Sequence, residues 1–113
     1  MSDSIFTKIL KKEIPSQIIY EDEFVFAIND INPIAPIHIL IIPKEQIPTI
    51  NDITPSNEAI MGKIILAAKI IANEKNIAEN GYRLIFNCNE DGGQTVFHIH
   101  CHLLAGKKLG WNV

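Results

Sequence analysis

His98-Ile99-His100-Cys101-His102-Leu103-Leu104 holds three of the chain's four histidines, at a spacing of two. In a β-strand successive side chains point to opposite faces. A strand here puts His98, His100 and His102 on one face, and Phe97, Ile99, Cys101 and Leu103 on the other. One face then reads as chemistry and the other as core. The rest of the chain must supply a sheet for this strand to join and a layer to cover its apolar side.

Working outward, residues 87–95 form a polar loop holding Asp91-Gly92-Gly93-Gln94, and residues 82–88 before it read as a fourth strand. Residues 37–42 are apolar on both faces except for His38, the pattern of a strand in mid-sheet with both sides covered. Residues 24–28 and 18–20 are aromatic and β-branched and give two earlier strands, joined by the charged turn Glu21-Asp22-Glu23. Asn29 and Asp30 close the second strand, and Pro33 and Pro36 stiffen the connector to the third. Ser4 can cap a short helix with Ile5, Phe6, Ile9 and Leu10 on one face, which Pro15 stops. Thr54-Pro55 starts a long one. Its apolar positions from Ile60 to Ala72 predict about six turns, ending near Asn80-Gly81. Five mainly antiparallel strands with one long and one short helix make an α+β fold in a single domain, residues 1–113. Leu66, Ala67 and Ile70 widen the long helix's apolar stripe beyond one packed face, which predicts a homodimer through this helix.

Composition limits the partners. Hydrophobic residues make up 47% and charged residues 20% of 113, enough for a packed core. The net charge is −3 and the basic residues are scattered, against a nucleic-acid groove. The start, Met1-Ser2-Asp3-Ser4, lacks the features of a signal peptide, and no run is long enough to span a membrane. Cys88 and Cys101 have no zinc or redox spacing and fit free thiols in a reducing cytoplasm.

The chemistry follows from distance. At ~3.3 Å per residue, His98 and His102 in one strand have Cα atoms ~13 Å apart, too far for all three histidines to meet one metal whose bonds are ~2 Å. Two of them with His38 could. The row suits a reacting centre, His100, with attendants on either side. Neutral imidazole is a competent nucleophile once a carbonyl or another histidine fixes its tautomer. Gly92-Gly93 brings backbone N–H groups near, and Gln94 and Thr95 add an amide and a hydroxyl, donors suited to a developing oxyanion. Blander readings stand beside these. A lone histidine is usually structural, Asp30 after a strand is most often a turn residue, and Cys101 points toward the core.

His98-Ile99-His100-Cys101-His102-Leu103-Leu104 resembles the histidine-triad motif, His-φ-His-φ-His-φ-φ with φ apolar, Cys101 being a small departure. The resemblance extends through residues 91–97, 35–44 and 5–9, through Glu13-Ile14-Pro15, and to Trp111. Nearly the whole chain is similar to the Hint-like nucleotide-binding branch of that family. The resemblance implies a fold that dimerises through the long helix and last strands into a continuous sheet, and a site for purine nucleoside monophosphates. It implies hydrolysis of purine nucleoside 5′-phosphoramidates through a covalent nucleotidyl-histidine, and the expectation for this chain is that the reaction uses no metal and no cofactor. His100 aligns with the nucleophile, His98 with the residue orienting it, His102 with a phosphate contact and His38 with a supporting fourth histidine. Asp30 matches the carboxylate that holds the ribose hydroxyls. Asn87, Gly93, Gln94 and Thr95 match the phosphate loop, and Phe6, Ile9, Ile14, Ile28 and Ile31 the base and sugar pocket. Ser4 and Thr7 stand where many relatives have a Cys-x-x-Cys zinc half-site, and Gln46 where some have another histidine. The tail after Trp111 is only Asn112-Val113. Competing readings are hydrolysis or phosphorolysis of dinucleoside polyphosphates, a nucleotide-binding regulatory module, and a metal-binding protein using His38 with two of the row.

Overall fold

A computed structural model describes residues 2–112. Met1 and Val113, the ends of the predicted start and tail, lie outside the described residues. One antiparallel sheet contains β1 (Ile18–Glu21), β2 (Val25–Asn29), β3 (Ile37–Pro43), β4 (Arg83–Phe86) and β5 (Cys101–Ala105), in the order β1-β2-β3-β5-β4. The strand predicted to be greasy on both faces, β3, is the central one. Its alternate residues feed two cores. Ile39 and Ile41 join Val25, Ala27, Cys101 and Leu103 beneath the long helix. Leu40 and Ile42 join Phe26, Ile28, Phe6 and Ile9 on the opposite face.

The short helix α1 (Ile5–Leu10) starts as expected: the Thr7 N–H donates to the Ser4 hydroxyl oxygen at 3.0 Å. It ends before Pro15, because Lys12 adopts φ 64° and the chain turns there, Lys12 and Glu13 donating back to the carbonyls of Ile9 and Lys8. The long helix α2 (Ala59–Glu74) has 16 residues, shorter at both ends than the apolar spacing predicts. At its start, Asn57 accepts from the Thr54 N–H through Oδ1 at 2.7 Å and makes a separate turn ahead of the helix. At its end Asn76 takes φ 59°. Asn76 donates to the Asn73 carbonyl and Ile77 to that of Ala72, a Schellman closure that buries Ile77. Asn76, four residues before Asn80-Gly81, is the real stop. Among the described residues no helix is long and apolar enough to cross a membrane.

The decisive correction concerns β5, which begins at Cys101 and not at Phe97. The β3–β5 register pairs Ile41 with Cys101, which would next bring Pro43 opposite Ile99. Proline has no N–H to give a ladder. Ile99 instead donates to the Ile47 carbonyl at 2.8 Å, in the loop after β3. Residues 97–100 therefore leave the sheet. Phe97, expected on the core face, is 49% exposed, while Ile99 still packs under α2.

Ile64 is fully buried between α2 and the sheet. Ile64→Ala should cost about 2–5 kcal/mol, read as a lower urea midpoint at unchanged slope. A midpoint equal to that of the parent chain would show that α2 does not seal this core.

Candidate active site

His98 is held by both ring nitrogens. Its Nε2 lies 2.8 Å from the Pro43 carbonyl, which can only accept, so the proton is on Nε2. Its Nδ1, 2.6 Å from the Ser4 oxygen, then accepts the hydroxyl proton. The ring has no solvent exposure and packs edge-on against Phe6. No nitrogen of His98 is left to touch a ligand. What it offers is its main chain: the His98 carbonyl accepts the His100 Nδ1–H at 2.8 Å.

That bond puts His100's proton on Nδ1 and leaves the Nε2 lone pair free. Among the described residues no protein group bonds this nitrogen, and it is not sealed from solvent. The ring sits against Phe6 at 5.0 Å and against His102 at 5.0 Å between centroids.

His102 has the opposite tautomer, set from the connector between β2 and β3. The Ile34 N–H donates to His38 Nδ1 at 3.2 Å, so His38 carries its proton on Nε2. That proton goes to His102 Nδ1 at 2.9 Å, and Asp30 Oδ2 lies 3.4 Å from His38 Nε2. His102 is thereby left with an Nε2–H that no described residue accepts. The site presents a lone pair from His100 beside an N–H from His102. The backbone has assigned both protons.

Burial is the largest influence on all four rings and pulls each below the ordinary histidine value. His102 falls to about 4, with His100 and His38 adding to the effect of burial and Asp30 opposing it. All four are neutral at pH 7.

The loop before the triad is built tightly. A Cβ on Gly92 would lie 2.5 Å from the Cys88 carbonyl oxygen, and Gly93 has φ 79°, so neither position takes a larger side chain without strain. Asn87 Nδ2 donates to the Gly92 carbonyl at 2.6 Å. Gln94, expected to offer its amide to a ligand, spends it on the protein: Oε1 accepts from the Asn89 N–H, and Nε2 donates to the carbonyls of Pro48 and Val96. It is buried and shapes the loop. Thr95 is exposed beside it.

Of the apolar residues expected to meet a base, Phe6, Ile9 and Ile28 form one buried cluster with Ile14 packed on it. Ile9 and Ile14 also line an open cavity of about 650 Å³ with Pro15 and Ile18. Ile31 stands apart, 91% exposed on the connector. Asp30 Oδ1 accepts the Asn32 N–H at 2.7 Å, which fixes the carboxylate at the end of β2.

Two places bear on metal binding. Ser4, Thr7, Gln46 and His98 gather at the N-terminus of α1, but they offer hydroxyls, an amide and a ring whose two nitrogens are both engaged, a donor set that does not suit zinc. Asp30, His38 and His102 have potential ligand atoms within 4.8 Å of one another. There the His38–His102 contact is already bridged by one proton, which a cation would have to displace. The residues themselves mark Ser4 as a helix cap and Gln46 as a loop residue, and the resemblance marks Ser4 only as a departure from a zinc half-site and Gln46 only as one from another histidine; no local signal ties either to His98.

Residues 11–109 match the family model described as "HIT domain". Purine nucleoside phosphoramidase of Escherichia coli (strain K12) is 54% identical over 108 residues, covering 96% of this chain and 91% of its own. Among solved structures, a HIT family hydrolase from Clostridium thermocellum superposes with TM-score 0.94 at 52% identity, covering 100% of this chain and 98% of that one. A HIT family hydrolase from Legionella pneumophila Philadelphia 1 gives 0.93 at 44%, covering 97% and 98%.

Four histidines with depressed proton affinity make acid destabilising. Below about pH 6.5 the unfolded chain binds protons that the folded rings refuse. Their contribution to stability is therefore complete above that pH and is lost as pH falls toward His102's value of about 4. Urea unfolding at pH 7, 6 and 5 should show this decline, and His102→Asn should flatten it. Parallel profiles for the two proteins would remove His102 from the account.

Proposed function

The chain belongs to the HIT family, and on that premise we propose that it is a nucleotide-binding hydrolase acting in the cytoplasm on purine nucleoside 5′-phosphoramidates, such as AMP joined to an amine or to lysine. The observation that carries this reading is the His100 Nδ1–H on the His98 carbonyl, which leaves Nε2 as the one free imidazole lone pair beside a free N–H. The identity to a purine nucleoside phosphoramidase over nearly the whole chain supports the substrate class. The two thiols, Cys88 and Cys101, are unpaired, which suits a reducing compartment.

In the proposed reaction His100 Nε2 attacks phosphorus and the P–N bond breaks. The departing nitrogen takes a proton from solvent and leaves as the amine. The adduct is a nucleotidyl-imidazolium whose positive charge is shared with the Nδ1–H···O=C bond to His98. Water then attacks phosphorus, the bond to His100 breaks, the nucleoside monophosphate leaves and the proton returns to solvent. His102 Nε2–H holds a phosphoryl oxygen as charge builds on it. Asn87, Gly93 and Thr95 line the phosphate side, with Gln94 shaping the loop. Asp30 takes the ribose hydroxyls, while Phe6, Ile9, Ile14 and Ile28 receive the base and Ile31 closes over it. His98 and His38 position the two presented rings. No metal or cofactor enters these steps.

His100→Ala, assayed with adenosine 5′-phosphoramidate in EDTA, should lose at least about 10³-fold in kcat and keep its affinity for AMP within a few fold. Rapid quench of the parent chain should yield an adenylated His100 peptide by mass spectrometry. Full activity in the variant would end the proposal, and faster turnover of diadenosine polyphosphates would move the substrate to that class.

We also propose that the protein works as a homodimer. Ile65 and Leu66 are 46% and 52% exposed on the side of α2 turned away from the sheet. β4 is an edge strand with a free side, an arrangement that a second copy could continue. Light scattering at micromolar concentration should give twice the chain mass, and Leu66→Lys should give one chain mass. A parent chain that runs as a monomer would overturn this.

A further inference from the structure

The N-terminal turn of α1 does more than begin a helix. The Ser4 oxygen accepts the Thr7 N–H, which is all that a cap requires. Its own proton remains to be placed, and two acceptors are near: His98 Nδ1 at 2.6 Å and Thr7 Oγ1 at 3.3 Å. The shorter bond takes it: His98 carries its own proton on Nε2, so Nδ1 is a bare acceptor, while Thr7 Oγ1 donates to Gln46 Oε1 at 2.8 Å. Gln46 also accepts the Ser4 N–H at 2.8 Å and donates to the Ser2 carbonyl at 2.8 Å, pinning the segment before α1 to the loop after β3. The ring of His98 is thus clamped between Ser4 and the Pro43 carbonyl, and its main-chain carbonyl fixes His100 Nδ1.

We infer that Ser4 and Gln46 are positioning residues for His100, acting through His98: the Ser4 hydroxyl holds His98 in one tautomer and one orientation, and Gln46 holds Ser4. Neither touches the reacting atoms. Without the Ser4 proton, His98 Nδ1 is a buried acceptor with no partner, and its ring must rotate or change tautomer to recover one. Either motion shifts the carbonyl on which the nucleophile's tautomer depends.

The kinetic arm of the test rests on the phosphoramidate reading; the spectroscopic arm does not. Ser4→Gly removes the hydroxymethyl group, including the oxygen that accepts the Thr7 N–H, but glycine is itself a tolerated helix cap, so the fold should survive. Its kcat on adenosine 5′-phosphoramidate should fall about tenfold or more, the scale of a small misplacement, with KM within twofold. Long-range ¹⁵N–¹H spectra of the histidine rings should show His98 losing its single Nε2–H form. Ser4→Thr should restore both, and Gln46→Ala should show a lesser version of both. Thr7→Val breaks the Thr7–Gln46 bond but leaves Ser4 on His98; it should lower Tm and keep kcat. If Ser4→Gly leaves the His98 spectrum unchanged, or if the Ser4 and Thr7 variants lose kcat in proportion to Tm, the inference fails. Should the parent chain not turn over phosphoramidates, the proposed function fails and the ring spectra alone decide the positioning role.

Discussion

Pro43 is the constraint on which the site depends. It ends the central strand β3 and has no N–H to extend the ladder toward the chain beside it. The segment carrying His98 and His100 is therefore released from the sheet one step before β5 begins. Proline still has its carbonyl, and this receives the His98 Nε2–H at 2.8 Å. One residue both frees the segment from regular pairing and supplies the acceptor that anchors it again. Without that release the histidines would form a straight row at strand spacing. With it, His98 turns into the protein and offers its main chain to His100.

Once the segment is free, proton placement follows from groups that have no choice. A carbonyl only accepts and a backbone N–H only donates. The His98 carbonyl forces the His100 proton onto Nδ1. The Ile34 N–H forces the His38 proton onto Nε2, and through it the His102 proton onto Nε2. Two neighbouring imidazoles, chemically identical in the sequence, become a lone pair and a donor. Burial keeps both rings neutral. A protonated His100 would have no lone pair, and a charged His102 would oppose any positive charge on the ring beside it.

The sequence pattern revealed faces better than it revealed elements. The alternation of two correctly assigns Ile99, Cys101 and Leu103 to the core under α2 and the histidines to the other side, although only His102 of the three lies in the strand. A side-chain alternation survives a short irregular stretch; the hydrogen-bond ladder does not. The ends of α2 were hidden because Asn57 and Asn76 act through turns that compete with the helix, and such local bonds leave no trace in the apolar period. Contacts set by distant residues were equally hidden. Ser4 meets His98 across 94 positions and His38 meets His102 across 64. The resemblance pointed to His38 as a support, but nothing local to Ser4 or Gln46 distinguishes a cap and a loop amide from a clamp on the triad. Gln94 shows the converse: its position before the triad suggested a ligand donor, yet loop carbonyls claim its amide.

Cys101 brings the two faces into one argument. It departs from the apolar residue usual in the motif and puts a thiol next to His100 in sequence. Burial opposes charge in both side chains, with opposite consequences for reactivity. The reactive form of histidine is the neutral one, so desolvation keeps His100 available. The reactive form of cysteine is the anion, and burial pushes the Cys101 thiol up to about 12. The alternation sends Cys101 into the core beneath α2, fully buried, while His100 keeps a nitrogen open on the other side. The same physical effect, applied to adjacent residues on opposite faces, leaves an imidazole lone pair available on one and an inert thiol on the other.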